Sequence, residues 1–307
     1  MGMRVFVTGG SGFVGWHVVR ELLRREYGVN ALVHRKIVRA DRETIREIPG
    51  DLFNPSSLDS GIRGSEAVIH LVGIIDEKPA EGVTFQRIHV DGTRSVVDAA
   101  RRNGVKRFIH MSASGTRENA VSEYHRTKWQ AEQYVRASGL DWTIFRPGFI
   151  HGKGGFMLQE ASWARKKAMP FFAMPYFGAG LLGLRASGSI EPVCALDVSR
   201  AFVDAIDKPQ TIGKTYDLVG PNRMTWPEFH RAASTQIVGK RRLTAPVPAW
   251  FALLLANAGL GPLLGFNPDQ VIMSQEAPAS DMAPFEQDFG WKPNSFESTL
   301  ALYASKL

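Results

Sequence analysis

Short apolar runs alternate with amphipathic stretches through the first half of the chain. β-Branched and apolar residues dominate Arg4–Thr8, Val29–Val33 and Ala67–Val72, and a weaker run of this kind covers Thr44–Ile48. Between the first two runs, apolar residues recur at helical spacing from Gly12 to Tyr27. The pattern predicts strands separated by a helix that packs one face against them.

The same alternation continues up to about residue 150. The sequence predicts strands at Arg107–Met111 and Trp142–Phe145 and helices at Thr84–Asn103 and Ser122–Ala137. Strands that alternate with helices form right-handed βαβ units, because parallel neighbours need a crossover connection. We therefore predict an α/β protein with a doubly wound (Rossmann) parallel sheet in a domain of residues 1–150.

Beyond residue 150 the regular alternation gives way to mixed elements. The predicted elements are strands at Ile190–Val193 and Lys214–Val219 and helices at Asp197–Ile206 and Thr225–Val238. Thr225 and Glu228 have the spacing of a capping box at a helix start. We predict a smaller, mostly helical cap over residues 151–307, with about 190–220 contributing back to the sheet.

The segment Leu243–Pro268 contains no charged residue and is intensely apolar at Trp250–Leu255. Its length is sufficient to cross a bilayer, but its four prolines and three glycines would interrupt a spanning helix. The favoured interpretation is a short cap helix that buries its leucine face. An interfacial helix beside Lys240–Arg242 and a membrane span are the alternatives.

Composition and charge narrow the function classes. The 307 residues are 44% hydrophobic and 22% charged, as in ordinary globular proteins, and the net charge of +7 is scattered. No nucleic-acid motif accompanies it, so we expect no nucleic-acid partner. Cys194 is the only cysteine, and the histidines lack ligand spacing, so we predict no metal site. A strand beginning at about Met3 leaves no room for a signal peptide, which predicts a cytoplasmic location with peripheral membrane association as an alternative.

A glycine-rich turn joins the first predicted strand to the first predicted helix. Gly9 and Gly12 permit a sharp reversal and the close approach of a pyrophosphate, and Gly15 lets the helix pack against the strand. The N–H groups of the helix N-terminus then face the phosphates. A strand–helix turn without a ligand is the alternative, but the context favours a dinucleotide. The predicted contacts are Gly9, Ser11, Gly12, Phe13, Val14 and Gly15.

The end of the second strand usually decides between the two nicotinamide dinucleotides. An acidic residue there binds the ribose hydroxyls of NAD and repels the extra phosphate of NADP. Here His34 and Arg35 follow the strand, and no carboxylate occurs before Asp41. Arg35 can bind a 2′-phosphate with paired hydrogen bonds. We predict NADP(H) as the preferred cofactor and NAD(H) as the alternative, unless Arg35 and Lys36 are merely solvated loop charges.

Several motifs together resemble the short-chain dehydrogenase/reductase superfamily. In chain order they are Thr8–Gly15, Asp51-Leu52, His110–Ala113, Tyr124–Lys128, Phe145–Gly152, Glu191–Val193 with Asp197-Val198, and Gly213–Leu218. The spacing and the long C-terminal portion are similar to the extended and atypical branches. They are most similar to the atypical group typified by accessory subunit nine of respiratory complex I, and the resemblance covers nearly the whole chain.

The resemblance implies further cofactor contacts. It implies that adenine meets Asp51 and Leu52, that the nicotinamide ribose meets Leu71, Val72 and Gly73, and that the nicotinamide meets Pro147 and Gly148. Tyr124 and Lys128 match the catalytic pair of the family and also border the nicotinamide. Their spacing of four residues places both on one helix face, where the lysine charge can lower the pKa of the phenol.

Two positions depart from the family pattern. Active members place Ser or Thr soon after the fifth strand, where this chain has Ala113 between Ser112 and Ser114. Either neighbouring hydroxyl can substitute if the loop shifts by one residue. The Asn of the proton relay is replaced by His89, which can relay protons or be a hydrogen-bonded structural residue.

These observations favour an NADP(H)-dependent oxidoreductase. Tyr124 would exchange a proton, Lys128 would lower its pKa, and Ser112 or Ser114 would hold the oxygen of an unknown small substrate. Aromatic and apolar residues of the cap predict an apolar substrate, although they can equally be core. They are Phe156, Met157, Trp163, Phe171, Phe172 and Trp250. The alternatives are a non-catalytic dinucleotide-binding protein that docks on a protein partner or membrane and, more weakly, a nucleotide-sugar epimerase or dehydratase.

Overall fold

The computed structural model describes residues 3–34, 45–165, 173–185, 188–277 and 279–307. Strands are numbered in chain order. They are β1 Arg4–Thr8, β2 Gly28–Val33, β3 Ile45–Pro49, β4 Ala67–His70, β5 Arg107–Met111, β6 Asp141–Pro147, β7 Ile150–His151, β8 Ala173–Gly178, β9 Val193–Cys194, β10 Lys214–Leu218 and β11 Leu243–Pro248.

Helices connect most of these strands. They are α1 Phe13–Arg24, α2 Pro55–Ile62, α3 Gly92–Arg102, α4 Glu123–Arg136, α5 Phe156–Ala164, α6 Ala195–Asp204, α7 Trp226–Val238, α8 Ala249–Asn257, α9 Gly261–Leu264, α10 Pro268–Ser274, α11 Ala283–Phe289 and α12 Phe296–Ala301. A π-helical turn at Gln86–Asp91 leads directly into α3, and single 3₁₀ turns occur at Pro79–Glu81, Ala205–Asp207, Pro209–Thr211 and Ala304–Lys306.

The main sheet is parallel throughout. Its seven strands lie in the order β10-β6-β5-β4-β1-β2-β3. The strand order reverses beside β1, since β2 and β3 lie on one side of it and the later strands of the sheet lie on the other. This order defines the doubly wound fold and places a crevice at the carboxyl ends of the central strands. Val5, Phe6 and Val7 of β1 are fully buried, because helices cover both faces. The predicted fold class is confirmed.

The chain divides into two compact units. The sheet unit comprises Met1–Pro147, Ala195–Leu218 and Asp281–Lys292. Its helices cover the sheet with amphipathic faces; α1, for example, buries Val18, Val19 and Leu22. Residues 281–292, which the sequence pattern assigns to the C-terminal region, belong to the sheet unit, where Phe285 and Phe289 pack on one another with centroids 4.4 Å apart.

The second unit comprises Gly148–Cys194, Val219–Ser280 and Pro293–Leu307. An aromatic core centred on Phe229 and Phe296 holds it together, and β8 pairs with β11 in a small parallel sheet. The predicted capping box is confirmed at α7, where Thr225 accepts from the Glu228 amide and the Glu228 carboxylate accepts from the Thr225 amide.

Three local predictions were wrong. The strand predicted at Ala67–Val72 ends at His70. The helix predicted at Thr84–Asn103 begins with the π-helical turn. The segment Leu243–Pro268 is not one helix that buries its leucines, because it starts as β11, and α8 then buries alanines instead. Within the described part of the chain, no helix is both long and apolar enough to cross a membrane.

Candidate functional site

The glycine-rich turn follows β1 and leads directly into α1. Gly9 has a φ of +78°, in the left-handed region that favours glycine. The amide of Gly12 donates to the carbonyl of Gly9 at 2.9 Å, which closes the turn. A Cβ atom at Gly15 would lie 2.0 Å from the same carbonyl oxygen and 2.7 Å from the Cα atom of Gly10. Only glycine allows the helix to pack this closely.

The N-terminus of α1 is suited to an anion. Gly12 is exposed and caps the helix without a side-chain hydrogen bond, and the first turn contains no acidic residue. The first amides of a helix, here those of Phe13 and Val14, have no carbonyl partner within it. Together with the half-buried Ser11 beside them, these amides and the positive end of the helix dipole fit a pyrophosphate.

The adenine side of the predicted cofactor site is described in part. The exposed His34 follows β2, whereas Arg35 lies outside the described residues. Asp51 accepts a hydrogen bond from the amide of Phe53 at 2.7 Å, which fixes the turn after β3. The side chain of Leu52 is buried in the core. Asp51 therefore offers a half-buried carboxylate, and Leu52 offers mainly its backbone.

The loop after β4 brings the glycine turn and the lysine of α4 to the same edge of the sheet. A Cβ atom at Gly9 would lie 3.2 Å from the backbone nitrogen of Val72. A Cβ atom at Gly73 would lie 2.9 Å from the Nζ atom of Lys128. Leu71 is buried, and its amide donates to the carbonyl of Thr8, which extends the hydrogen bonding between β4 and β1 by one residue. Gly73 is thus a position where a side chain would displace the lysine ammonium.

Tyr124 lies in the first turn of α4, which Ser122 caps by accepting from the His125 amide. Its ring packs edge-on against His89 and Phe85, with centroid distances of 5.3 and 5.8 Å. Burial raises the pKa of the Tyr124 phenol to about 12. The predicted lowering of this pKa by the nearby lysine is wrong for this structure, because loss of water disfavours the phenolate more strongly.

Lys128 is buried one helical turn further along α4. Its Nζ atom donates to the carbonyl of Met111, at the end of β5, over 3.2 Å. Burial lowers the pKa of Lys128 to about 8, and the negative charge of Glu132 partly opposes this shift. The ammonium is therefore retained at neutral pH in a site that is poor in water.

The two candidate substrate-binding serines have different surroundings. Ser112 is buried, and its Oγ atom donates to the hydroxyl of Thr116 at 3.4 Å. Ser114 is half-buried, and its amide donates to the carbonyl of Pro147 at 2.9 Å. Ala113 lies between them, also half-buried. The greater exposure of Ser114 makes it the better candidate to hold a substrate oxygen.

Gly148 opens the second unit. A Cβ atom there would lie 2.5 Å from the carbonyl oxygen of Glu191 and 2.9 Å from Cγ1 of Val219. These contacts alone require a glycine at position 148, with or without a bound cofactor. The nicotinamide contact that the resemblance implies for Gly148 stays a prediction.

His89 is held as a neutral imidazole. The hydroxyl of Thr127 donates to the carbonyl of Glu123 at 2.9 Å, so it must accept from Nδ1 of His89, also at 2.9 Å. Nε2 then accepts from the amide of Ile74 at 3.2 Å. Burial, followed by the charge of Lys128, lowers the pKa of His89 to about 2. Of the two roles open for this residue, the geometry fits the structural one, because both ring nitrogens are engaged.

A second buried histidine links the strands beneath the site. His70 at the end of β4 accepts from the hydroxyl of Thr8 at 2.6 Å, and its Nε2 donates to Thr93 at 3.1 Å. Thr93 in turn donates to the carbonyl of His89. This chain of hydrogen bonds connects β1, β4 and α3. The sequence analysis missed it, although a polar residue at the last position of an otherwise apolar strand was a usable signal.

His110 stacks on His70, with ring centroids 5.4 Å apart and an interplanar angle of 20°. Both of its ring nitrogens are buried without a hydrogen-bond partner. Burial lowers the pKa of His110 well below its usual value, and the neighbouring charges add to this effect. All three histidines are thus neutral, which leaves Lys128 as the cation beside them.

Comparison with known proteins shows what the chain is similar to. Residues 9–159 match a family model described as NAD(P)H-binding. The chain is 26% identical over 315 residues to the mitochondrial NADH dehydrogenase (ubiquinone) 1 alpha subcomplex subunit 9 of Mus musculus, covering 96% of this chain and 78% of that protein. The chain therefore contains an NAD(P)H-binding domain and is similar to that complex I subunit along nearly its whole length. The resemblance stated from the motifs is confirmed.

Two further proteins show how far the similarity of this chain extends. The chain is 38% identical over 153 residues to a ceramide reductase of Caulobacter vibrioides, a match that covers 49% of this chain and 47% of that protein. The chain thus spans about half the length of that relative. A UDP-glucose 4-epimerase of Thermotoga maritima, solved with UDP-glucose, has a TM-score of 0.75 at 20% identity, covering 98% of this chain and 97% of that chain. It shows a shared fold.

We expect the buried Lys128 to make the stability of the protein depend on pH. The pKa of Lys128 is lower in the folded than in the unfolded chain, so burying the ammonium costs stability below about pH 8, and this cost fades as pH rises towards 10.5. We expect the unfolding free energy of the wild type, relative to Lys128→Met, to rise by about 2 kcal/mol between pH 7 and pH 9.5. Urea denaturation of both proteins measures it, and parallel pH profiles would contradict the lowered pKa.

Proposed function

We propose that the protein is an NADP(H)-dependent oxidoreductase that acts on a carbonyl or hydroxyl group of a small apolar molecule. The observation that carries this proposal is the meeting of three features at the carboxyl edge of the sheet. They are the glycine turn, the loop through Gly73, and α4 with the half-buried Tyr124 and the buried Lys128. Ligands of open α/β sheets bind at this edge, where the strand order reverses.

The pair on α4 suits proton exchange with a substrate oxygen. A bound nicotinamide supplies or accepts a hydride at its C4 atom. In the reducing direction, the Tyr124 hydroxyl gives its proton to the carbonyl oxygen as the hydride reaches the carbonyl carbon, and an alcohol forms. The phenolate left behind regains a proton from solvent. In the oxidising direction the same groups act in reverse.

The hydroxyl of Ser114 is the proposed support for the substrate oxygen, with Ser112 as the alternative. Ser114 lies after β5, which also supplies the Met111 carbonyl that holds Lys128. A hydrogen bond from this hydroxyl would orient the oxygen towards Tyr124. Ser112 is buried, whereas Ser114 is half-buried and therefore more accessible to a substrate.

An apolar substrate is supported by the relative with the highest identity reported above. That protein is named a ceramide reductase, and its match covers 49% of this chain. A long-chain ketone is therefore the substrate class to test first. The consumption of NADPH with a panel of long-chain, sterol and isoprenoid ketones, followed by absorbance at 340 nm, tests the proposal. Turnover of an apolar ketone supports it, and turnover of UDP-sugars instead would favour the epimerase alternative.

The choice of NADP(H) over NAD(H) rests on the sequence around Arg35. We expect Arg35→Ala to weaken the binding of NADPH by about tenfold or more and to leave that of NADH nearly unchanged, because only the 2′-phosphate is lost as a partner. Isothermal titration with both dinucleotides measures this difference. Lys36→Ala serves as the matched loop-charge control, and tighter binding of NADH by the wild type would overturn the assignment.

A non-catalytic dinucleotide-binding protein is the second candidate. The match to the mouse complex I subunit favours it, because that match spans 96% of this chain. The neutral His89 adds to it, since both of its ring nitrogens are already engaged within the protein. In that case NADPH would bind and raise the melting temperature. No ketone in the panel would be reduced, and a protein partner would be sought instead.

A further inference from the structure

The second unit carries several exposed large apolar side chains, here called the apolar patch. Its members lie on three elements: the turn between β8 and Arg185, helix α8, and helix α9. Its members are Leu181, Leu182, Leu184, Trp250, Phe251, Leu254, Leu263 and Leu264. Leu181 is 78% exposed and Leu263 is 84% exposed. Single exposed leucines are common on protein surfaces, but a group of them marks an interaction site.

Helix α8 differs from an ordinary surface helix, because its buried residues are small and its largest residues are exposed. It buries Ala249, Ala252 and Ala256, and the first two pack with Val271 of α10. Its largest residues, Trp250 and Phe251, and Leu254 lie towards solvent. Water cannot stabilise this arrangement, because burying leucine is worth more than burying alanine. The outward face is therefore suited to an apolar environment that the chain itself does not supply.

The turn and the helix form one rigid surface. Ala179 and Arg185 exchange backbone hydrogen bonds of 3.0 and 3.2 Å, which closes the turn as a hairpin. The Nε1 atom of Trp250 donates to the carbonyl of Leu181 at 3.0 Å. A Cβ atom at Gly183 would lie 3.0 Å from the backbone of β11, so the hairpin packs tightly beside the start of α8. The leucines of the hairpin are held next to Trp250.

Charge around the patch fits an anionic surface. The chain has no charged residue from Leu243 to Pro268, which includes all of α8 and α9. Exposed cations flank these segments in the sequence, namely Arg185 at the end of the hairpin and Lys240 and Arg241 before β11. An apolar face bordered by cations, with tryptophan among its members, is typical of segments that lie in a membrane interface.

We propose that the apolar patch inserts into the headgroup region of an anionic phospholipid bilayer. The leucines and Phe251 enter the outer part of the acyl layer, and Arg185, Lys240 and Arg241 contact lipid phosphates. Binding is peripheral, because the described helices are too short to span. The proposal does not depend on the proposed oxidoreductase activity, since neither the cofactor turn nor α4 takes part in it.

Flotation with vesicles tests the proposal. The full chain is mixed with phosphatidylcholine vesicles or with vesicles that also contain phosphatidylglycerol. We expect binding to the anionic vesicles, at least about tenfold weaker for the variant Leu181→Ser/Leu182→Ser/Leu184→Ser. Lys240→Ser/Arg241→Ser should lose the preference for anionic lipid. Brominated lipids should quench fluorescence in the wild type and less so in Trp250→Phe.

The control uses exposed apolar residues elsewhere. Ile75 and Val121 of the sheet unit are 59% and 65% exposed, so Ile75→Ser/Val121→Ser removes similar side chains without touching the patch. This variant should float like the wild type, and NADPH binding should be equal in all variants. Absence of flotation by the wild type, or an equal loss in the control, would overturn the proposal. Self-association that the hairpin variant abolishes, without vesicle binding, would assign the patch to a second copy instead.

Discussion

Replacing Tyr124 by phenylalanine should reduce kcat for ketone reduction by at least about 100-fold, because the substrate oxygen loses its proton donor. The phenyl ring keeps the contacts with His89 and Phe85, so the fold and the Kd for NADPH should change little. Steady-state rates with the best ketone of the panel, together with a titration of NADPH, measure both quantities. A loss of kcat with retained binding is the signature of a proton donor rather than a structural residue.

The same helix offers a matched control for this substitution. Tyr134 is also on α4, and its hydroxyl donates to Asp98 at 2.8 Å, away from Lys128. Tyr134→Phe removes one phenolic hydroxyl and should leave kcat unchanged. Equal kcat in Tyr124→Phe and the wild type would remove Tyr124 from the mechanism. An equal loss in both variants would show that the effect is structural.

Gly15→Ala should abolish dinucleotide binding, with a Kd raised by about 100-fold or more. The new methyl group would meet the Gly9 carbonyl and the Gly10 backbone at distances that no side-chain rotation relieves, so the turn must open. An opened turn moves the amides of α1 away from the pyrophosphate. Fluorescence titration with NADPH measures the Kd, and circular dichroism shows whether the variant folds.

A second glycine separates lost binding from lost stability. Gly104 has a φ of +72° with open space around its Cα atom, so Gly104→Ala costs stability through its backbone conformation alone. It should bind NADPH like the wild type. If Gly15→Ala does not fold, Gly12→Ala remains informative, because Gly12 has a φ of −78° and a nearest contact of 3.2 Å. Wild-type affinity in a folded Gly15→Ala would contradict the role of the turn.

Local sequence signals were sufficient for the sheet. β1 and β5 have the predicted bounds, since each apolar run ends at a turn or a polar loop. Alternation of strands and helices then left little choice of topology. The glycine turn was equally predictable, because its backbone demands are met by few residue types. Tyr124 and Lys128 could be located only through the resemblance, since such pairs are common on helices.

Features that depend on burial could not be predicted in this way. The pKa of Tyr124 is set by the loss of water around its phenol, which the spacing to Lys128 does not reveal. The neutral state of His89 comes mainly from its burial, which its position in the sequence does not reveal. The exposed Trp250, Phe251 and Leu254 of α8 reverse the usual rule, because apolar composition alone does not say which face is covered.

Transfer of deuterium from the cofactor tests the central claim most directly. NADPH carrying deuterium at C4, in each of its two stereochemical forms, is incubated with the protein and an apolar ketone, and the product is analysed by mass spectrometry. The account predicts that one form gives an alcohol about one mass unit heavier and the other does not, because the site holds one face of the nicotinamide against the substrate. Bound NADPH that transfers no deuterium to any apolar ketone would contradict it.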